Sequence, residues 1–140
     1  VVGTMILKIL IVILVAFVLA CAFVRFAPSD VQKWHKRLDV SADKDFAKGV
    51  IRIVENSADQ FSTLVGIALA TPRTTQLAGS ANDGMATFVT RTRIFGFPDY
   101  STIWTDGDDL VIYARLRFGT NDSGVNELRT LKWISLLSNP

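Results

Sequence analysis

The stretch ARLRFGTNDSGVNELR, residues 114–129, gathers side chains able to do chemistry in an otherwise apolar chain. Arg115, Arg117 and Arg129 carry planar donor forks that match carboxylate or phosphate oxygens. A second run, TRTRIFGFPDY at 90–100, adds Arg91, Arg93 and Asp99. With Tyr113, Asp122 and Asn126, these residues form a candidate anion-binding or interface set. An internal role competes with it, because Asp99 and Asp122 could pair with the arginines and lock two loops to a sheet. Gly119 and Gly124 offer freed backbone N–H groups, as an anion nest would. Asp122 argues for a strand-to-helix turn instead, since its own carboxylate would occupy the helix start as a cap. The turn is therefore read as architecture, and the arginines stay open.

Other chemistries find little support. His35 and Cys21 each stand alone, without the spaced partners that a metal site or nucleophilic triad needs. The acidic run TDGDD at 105–109 lacks the spacing and distal Glu of a calcium loop and reads as a hairpin turn. No phosphate-binding GxxxxGK[ST] loop, GxSxG elbow or HExxH pair occurs. No pair of carboxylates stands out for glycoside chemistry. We therefore expect no catalytic residue, no metal and no cofactor.

The elements that must position the arginines can be read from periodicity. GVIRIVE at 49–55 is a β-branched strand, and MATFVTRTRIF (85–95), STIW (101–104) and LVIYARLRF (110–118) are further strands. Between them, Ser57 and Gln60 have the spacing of a capping box. They precede a helix whose Phe61, Leu64, Val65, Ala68 and Leu69 share one stripe. Pro72 stops that helix, SANDG at 80–84 is a turn, and residues from Asp122 onward form a terminal helix capped by Asp122 or Ser123. Strands joined by short turns imply an α+β fold: an antiparallel sheet with two helices on one face. Pairing 85–95 beside 110–118 would put Arg91, Arg93, Arg115 and Arg117 together on the other face.

Ahead of this domain lies an uncharged run from Ile9 to Val24. With Met5 to Leu7 and a snorkelling Lys8 it reaches about 20 residues, enough for the roughly 30 Å hydrocarbon layer. The expected organisation is a transmembrane anchor at 1–27, a juxtamembrane linker at 28–48 and a soluble domain at 49–140. Net charge is +2, but through Arg37 the balance is +4 and over the remainder −2. Positive charge thus gathers at the membrane edge, with Lys8, Arg25 and Trp34 as interface residues. A nucleic-acid footprint is absent from the soluble part. Cys21 follows FVLA, so the run can be read as a lipoprotein signal or as a retained helix holding a buried thiol; the second is preferred. Bases after the segment favour a cytoplasmic C-terminus, whereas a short basic start followed by an apolar run has the layout of an export anchor. The export layout is preferred, giving a single-pass protein of a bacterial inner membrane with a periplasmic domain.

The two runs together resemble the bacterial and plastid family known as domain of unknown function 1499. The likeness covers residues 50–137 and rests on Arg91, Arg93, Phe97, Asp99, Arg115, Arg117, Gly119, Asp122, Gly124, Asn126 and Arg129. Ala114 stands where a serine is common, and Glu127 where a basic residue often follows the asparagine. The resemblance implies a small α+β domain, often membrane-anchored or exported, and no established activity. The leading expectation is a non-catalytic accessory or assembly subunit of a membrane protein complex. The alternative is a module that binds an anionic ligand or lipid headgroup through the arginine-rich face.

Overall fold

Residues 1–139 are described by a computed structural model. Its β-branched and aromatic runs form one six-stranded sheet, because alternate side chains of each run find an apolar cover on the same side. The strands are β1 (Lys44–Phe46), β2 (Gly49–Val54), β3 (Thr74–Ser80), β4 (Met85–Arg91), β5 (Pro98–Asp106) and β6 (Asp109–Leu116). Every pairing is antiparallel, in the order β1-β2-β6-β5-β4-β3. The β5–β6 turn centres on Gly107 and Asp108, with Gly107 at φ 58°, so glycine takes the first of the two turn positions.

Helices α3 (Phe61–Ala70) and α4 (Val125–Ser138) cover one face of this sheet. Phe61, Leu64, Val65 and Ala68 of α3 meet Trp133 and Leu137 of α4 over Ala86, Phe88, Ile103, Leu110 and Ile112. This is the expected α+β architecture, preceded by α1 (Val2–Phe26), a helix long and apolar enough to cross a membrane. The other face carries a smaller apolar group, Ile51, Trp104 and Val111. It is covered by a strap, residues 28–40, that contains the single turn α2 (Val31–Trp34).

The structure differs from the sequence reading in several places. Residues 28–48 are not a free linker, since they supply both the strap and the edge strand β1. β3 falls where only turn signals were legible; its sequence TTQLAGS has little apolar alternation, and β4 supplies the pairing. Gly79 is needed in that hairpin: a Cβ there would lie 2.0 Å from the Met85 carbonyl oxygen. Ser57 does not cap α3. Its hydroxyl donates to the Glu55 carbonyl, and a 3₁₀ turn at Ala58–Gln60 leads into the helix. Leu69 is exposed at the rim rather than buried in the stripe. Most consequential is the strand order. β5 lies between β4 and β6, so 85–95 and 110–118 are not neighbours.

Candidate functional site

Strand order divides the sequence-derived residues among three places. Tyr113, Arg115 and Arg117 lie on or just beyond β6, under the strap. Arg91 ends β4 and Arg93 lies in the loop after it, near the end of α1. Asp99, Asp122, Asn126 and Arg129 gather at the start of α4.

The strap is held by polar contacts to the sheet. Asp30 starts α2 by accepting from the Gln32 N–H at 2.9 Å. Trp34, expected at the lipid interface, instead stacks on Tyr100 with ring centroids 3.9 Å apart and planes 7° from parallel. Ser29 Oγ lies 2.6 Å from the Tyr100 hydroxyl, and His35 Nδ1 lies 2.9 Å from Thr87 Oγ1. Thr87 continues to Thr102 at 2.9 Å, forming a hydroxyl ladder across β4 and β5.

Arg115 sits at the centre of this arrangement, only 5% exposed. Its Nη1 donates to Thr102 Oγ1 at 2.8 Å and to the Tyr113 carbonyl at 3.0 Å, while Nη2 donates to the Trp34 carbonyl. The guanidinium also lies 4.2 Å from the centre of the Tyr113 ring. Arg117 Nη1 donates to the Pro28 carbonyl at 2.9 Å and the Tyr100 hydroxyl at 3.1 Å. These are neutral acceptors. No carboxylate pairs with either arginine among the described residues. Burial without a counter-charge pulls the Arg115 pKa down to about 10, so the group remains cationic at neutral pH in an environment that disfavours charge.

Beside these arginines is an open cavity of about 660 Å³. Lys33, Lys48, Arg115 and Arg117 supply its charge, and Trp34, Phe46, Tyr113 and Phe118 supply its aromatic walls. No acidic side chain lines it among the described residues. Each guanidinium has five N–H donors, and the bonds to the strap leave several on Arg117 uncommitted. The cavity can accept an anionic group together with an apolar portion. It lies near the end of α1, since Phe118 packs edge-on against Phe23 of that helix at 6.3 Å.

The α4 cluster is closed and internally paired. Arg129 donates to Asp99 Oδ2 at 3.2 Å and to Asn126 Oδ1 at 2.8 Å. Burial raises the Asp99 pKa, with Arg129 opposing that rise and Asp122 adding to it. The N-cap position of α4 is held by Gly124 in the left-handed conformation, not by Asp122 or Ser123 as expected. Asp122, two residues ahead, accepts from the N–H groups of Gly124 and Asn126 at 2.9 and 3.2 Å. Three buried polar atoms, Ser101 Oγ, Asn126 Nδ2 and Thr130 Oγ1, lack partners among the described residues. The cluster fixes the position of α4, and the turn at 119–124 serves that purpose.

Sequence reading missed Lys33, Lys48, Phe46 and Phe118 as cavity residues. Lys48 and Phe46 fell in the segment taken for linker, and nothing local ties them to β6. It also missed Arg52, which joins Asp45 of β1 at 2.6 Å and Glu127 of α4 at 2.8 Å. No group of three or more His, Cys, Asp or Glu side chains able to hold a metal ion occurs among the described residues. Comparison with family models, curated proteins and solved structures returned no match. The likeness to the domain of unknown function 1499 family therefore rests on its own residues alone.

Proposed function

We propose that this chain is a membrane-anchored, non-catalytic module that binds an anionic amphiphile, such as a lipid headgroup with part of its chains, in the cavity beneath the strap. The observation that carries this reading is four bases and four aromatic rings around one opening without an acid. Lys8 and Arg25 would flank the anchor, with α1 in a bacterial inner membrane and the domain on the periplasmic side. Labelling of Ser41→Cys in intact cells by a membrane-impermeant thiol reagent tests the side; no labelling until the cells are opened would count against it.

The side chains of Lys33 and Lys48 line the cavity and make no hydrogen bond or ion pair among the described residues, so they are suited to testing. Full-length protein in detergent is expected to bind short-chain phosphatidylglycerol in a salt-sensitive way. It should bind the zwitterionic phosphatidylcholine analogue far more weakly. Lys33→Glu with Lys48→Glu should weaken the first interaction at least about tenfold, as expected for loss of roughly 1.4 kcal/mol. Unchanged affinity in that pair would end this reading.

A second reading, an accessory or assembly subunit of a membrane complex, is favoured by the outer surface of α4. Val125, Leu128, Leu131 and Leu136 are exposed there, Leu128 at 73%. Exposed apolar groups of this kind mark interaction surfaces. Gentle solubilisation should then recover a stoichiometric membrane partner whose retention is lost in Leu128→Asp. Recovery of the chain alone would discount it.

A further inference from the structure

The loop between β4 and β5 is a separate feature that the cavity does not use. It is tightly built. Thr92 N–H donates to the Phe97 carbonyl at 3.0 Å, Phe97 N–H to Thr92 Oγ1 at 2.9 Å, and Gly96 N–H to the Thr92 carbonyl at 3.2 Å. Gly96 adopts φ 70° where the loop passes Arg25; a Cβ there would lie 2.9 Å from the Arg25 guanidinium. The tip nevertheless exposes three large apolar side chains, Ile94, Phe95 and Phe97, with Ile94 at 79%. A loop whose base is bridged and whose tip exposes large apolar side chains is poorly suited to water and well suited to contact with a lipid surface.

Its position along α1 points the same way. Phe95 packs edge-on against Phe17, ring centroids 6.2 Å apart. Phe17 lies nine residues before the helix ends at Phe26, about 13 Å along the axis at ~1.5 Å per residue. Phe17 falls inside the uncharged run, so with α1 in the bilayer the Phe95 ring at the tip reaches the hydrocarbon while Gly96 stays beside Arg25. Directly behind the tip, Arg25, Arg73, Arg91 and Arg93 surround a cavity of about 280 Å³ with Thr74, Thr75 and Thr92. No acid lines it, and none of the four arginines forms an ion pair among the described residues. Arg91 is held in place by donating to the Gly96 carbonyl at 2.9 Å, and Arg73 by donating to the Arg91 carbonyl at 3.0 Å. Arg91 and Arg73 are thus fixed at the base of the loop, beside Arg25 where α1 leaves its apolar run.

We propose that residues 92–97 form a wedge that enters the bilayer beside α1, and that Arg25, Arg73, Arg91 and Arg93 bind the phosphate of an anionic phospholipid behind it. The domain would then contact the membrane at two places, with its orientation set by the wedge and not by the anchor alone. This rests on α1 lying in the bilayer, as in the proposed function, but uses a different cavity and different residues.

The test uses the full chain with Cys21→Ser, reconstituted into vesicles and labelled with an environment-sensitive fluorophore at Ile94→Cys or, separately, Val15→Cys. In mixed phosphatidylcholine–phosphatidylglycerol vesicles both labels are expected to emit as in hydrocarbon and to be quenched by brominated acyl chains. In phosphatidylcholine alone, quenching at position 94 should fall severalfold while that at position 15 holds. Arg93→Glu should give the phosphatidylcholine result in both kinds of vesicle. A water-like Ile94→Cys label beside an apolar Val15→Cys label would overturn the wedge and leave the anchor standing. Water-like emission from Val15→Cys would remove the anchor and the wedge together. Insertion of position 94 that ignores lipid charge and Arg93→Glu alike would overturn the phosphate site.

Discussion

The two faces of the sheet are covered by different kinds of interaction. On one, α3 and α4 close over Phe88, Ile103 and Ile112 with Phe61, Leu64 and Trp133, all almost fully buried. Each such side chain contributes about 1.5–3 kcal/mol on leaving water, without any directional requirement. On the other, a thirteen-residue strap at 28–40 is held by one aromatic stack, a ladder of hydroxyls and two guanidinium groups donating to its carbonyls. Those bonds cost desolvation of the arginines, visible in the lowered Arg115 pKa, and their net contribution is small. The helical face is a committed core. The strap face is a latch that keeps positive charge in place without neutralising it, which is what a site for an anion requires.

The strongest test of this contrast is Trp133→Ala. It removes the indole from the helical face and leaves Thr71 Oγ1 without the donor now 2.8 Å away. A loss of roughly 3–5 kcal/mol is expected, measured from the denaturant midpoint. A loss no larger than that of a latch variant would erase the distinction between the two faces.

Arg115→Met should cost less, about 1–3 kcal/mol, by removing the guanidinium donors to the Trp34 and Tyr113 carbonyls and leaving the Trp34 carbonyl only the Thr102 hydroxyl at 3.1 Å. Amide hydrogen exchange should quicken across Asp30 to Lys36 while β5 and β6 stay protected. Equal acceleration in the strap and the sheet would mean that the two faces unfold as one unit.

The smallest effect belongs to Asp99→Asn. Because burial raises the Asp99 pKa in the folded chain, the folded state holds that proton to higher pH than the unfolded state does. Between the unfolded value, about 3.9, and the raised folded value, stability contributed by this group therefore falls as pH rises. The wild-type midpoint, taken relative to Asp99→Asn, should decline with increasing pH across that window. A flat difference would place Asp99 in an ordinary, well-compensated ion pair with Arg129.

Much of this architecture was legible before any coordinate. The uncharged run, the alternating strands and the 3.6-residue stripe on α3 are local patterns whose cause lies in neighbouring residues. That the Asp122 carboxylate would serve the start of α4 was legible for the same reason, although Gly124 and not Asp122 holds the N-cap position. β3 was not, because an edge strand of small polar residues carries no periodicity of its own. The candidate site was half legible. Arg115, Arg117 and Tyr113 could be found from their alternation on one strand, whereas Lys33, Phe46 and Lys48 belong to a segment that looks like linker until it is seen folded.

What the sequence determined alone is therefore whatever depends on a few adjacent residues: an apolar helix, a sheet with two helices behind it, and arginines alternating along two runs whose partners it left open. Which arginines stand together was decided by the tertiary structure. Strand order is set by the packing of whole elements, and by inserting β5 between β4 and β6 it split one expected cluster in two. One pair went beneath the strap; the other went to the loop beside α1, where Arg25 and Arg73 join it.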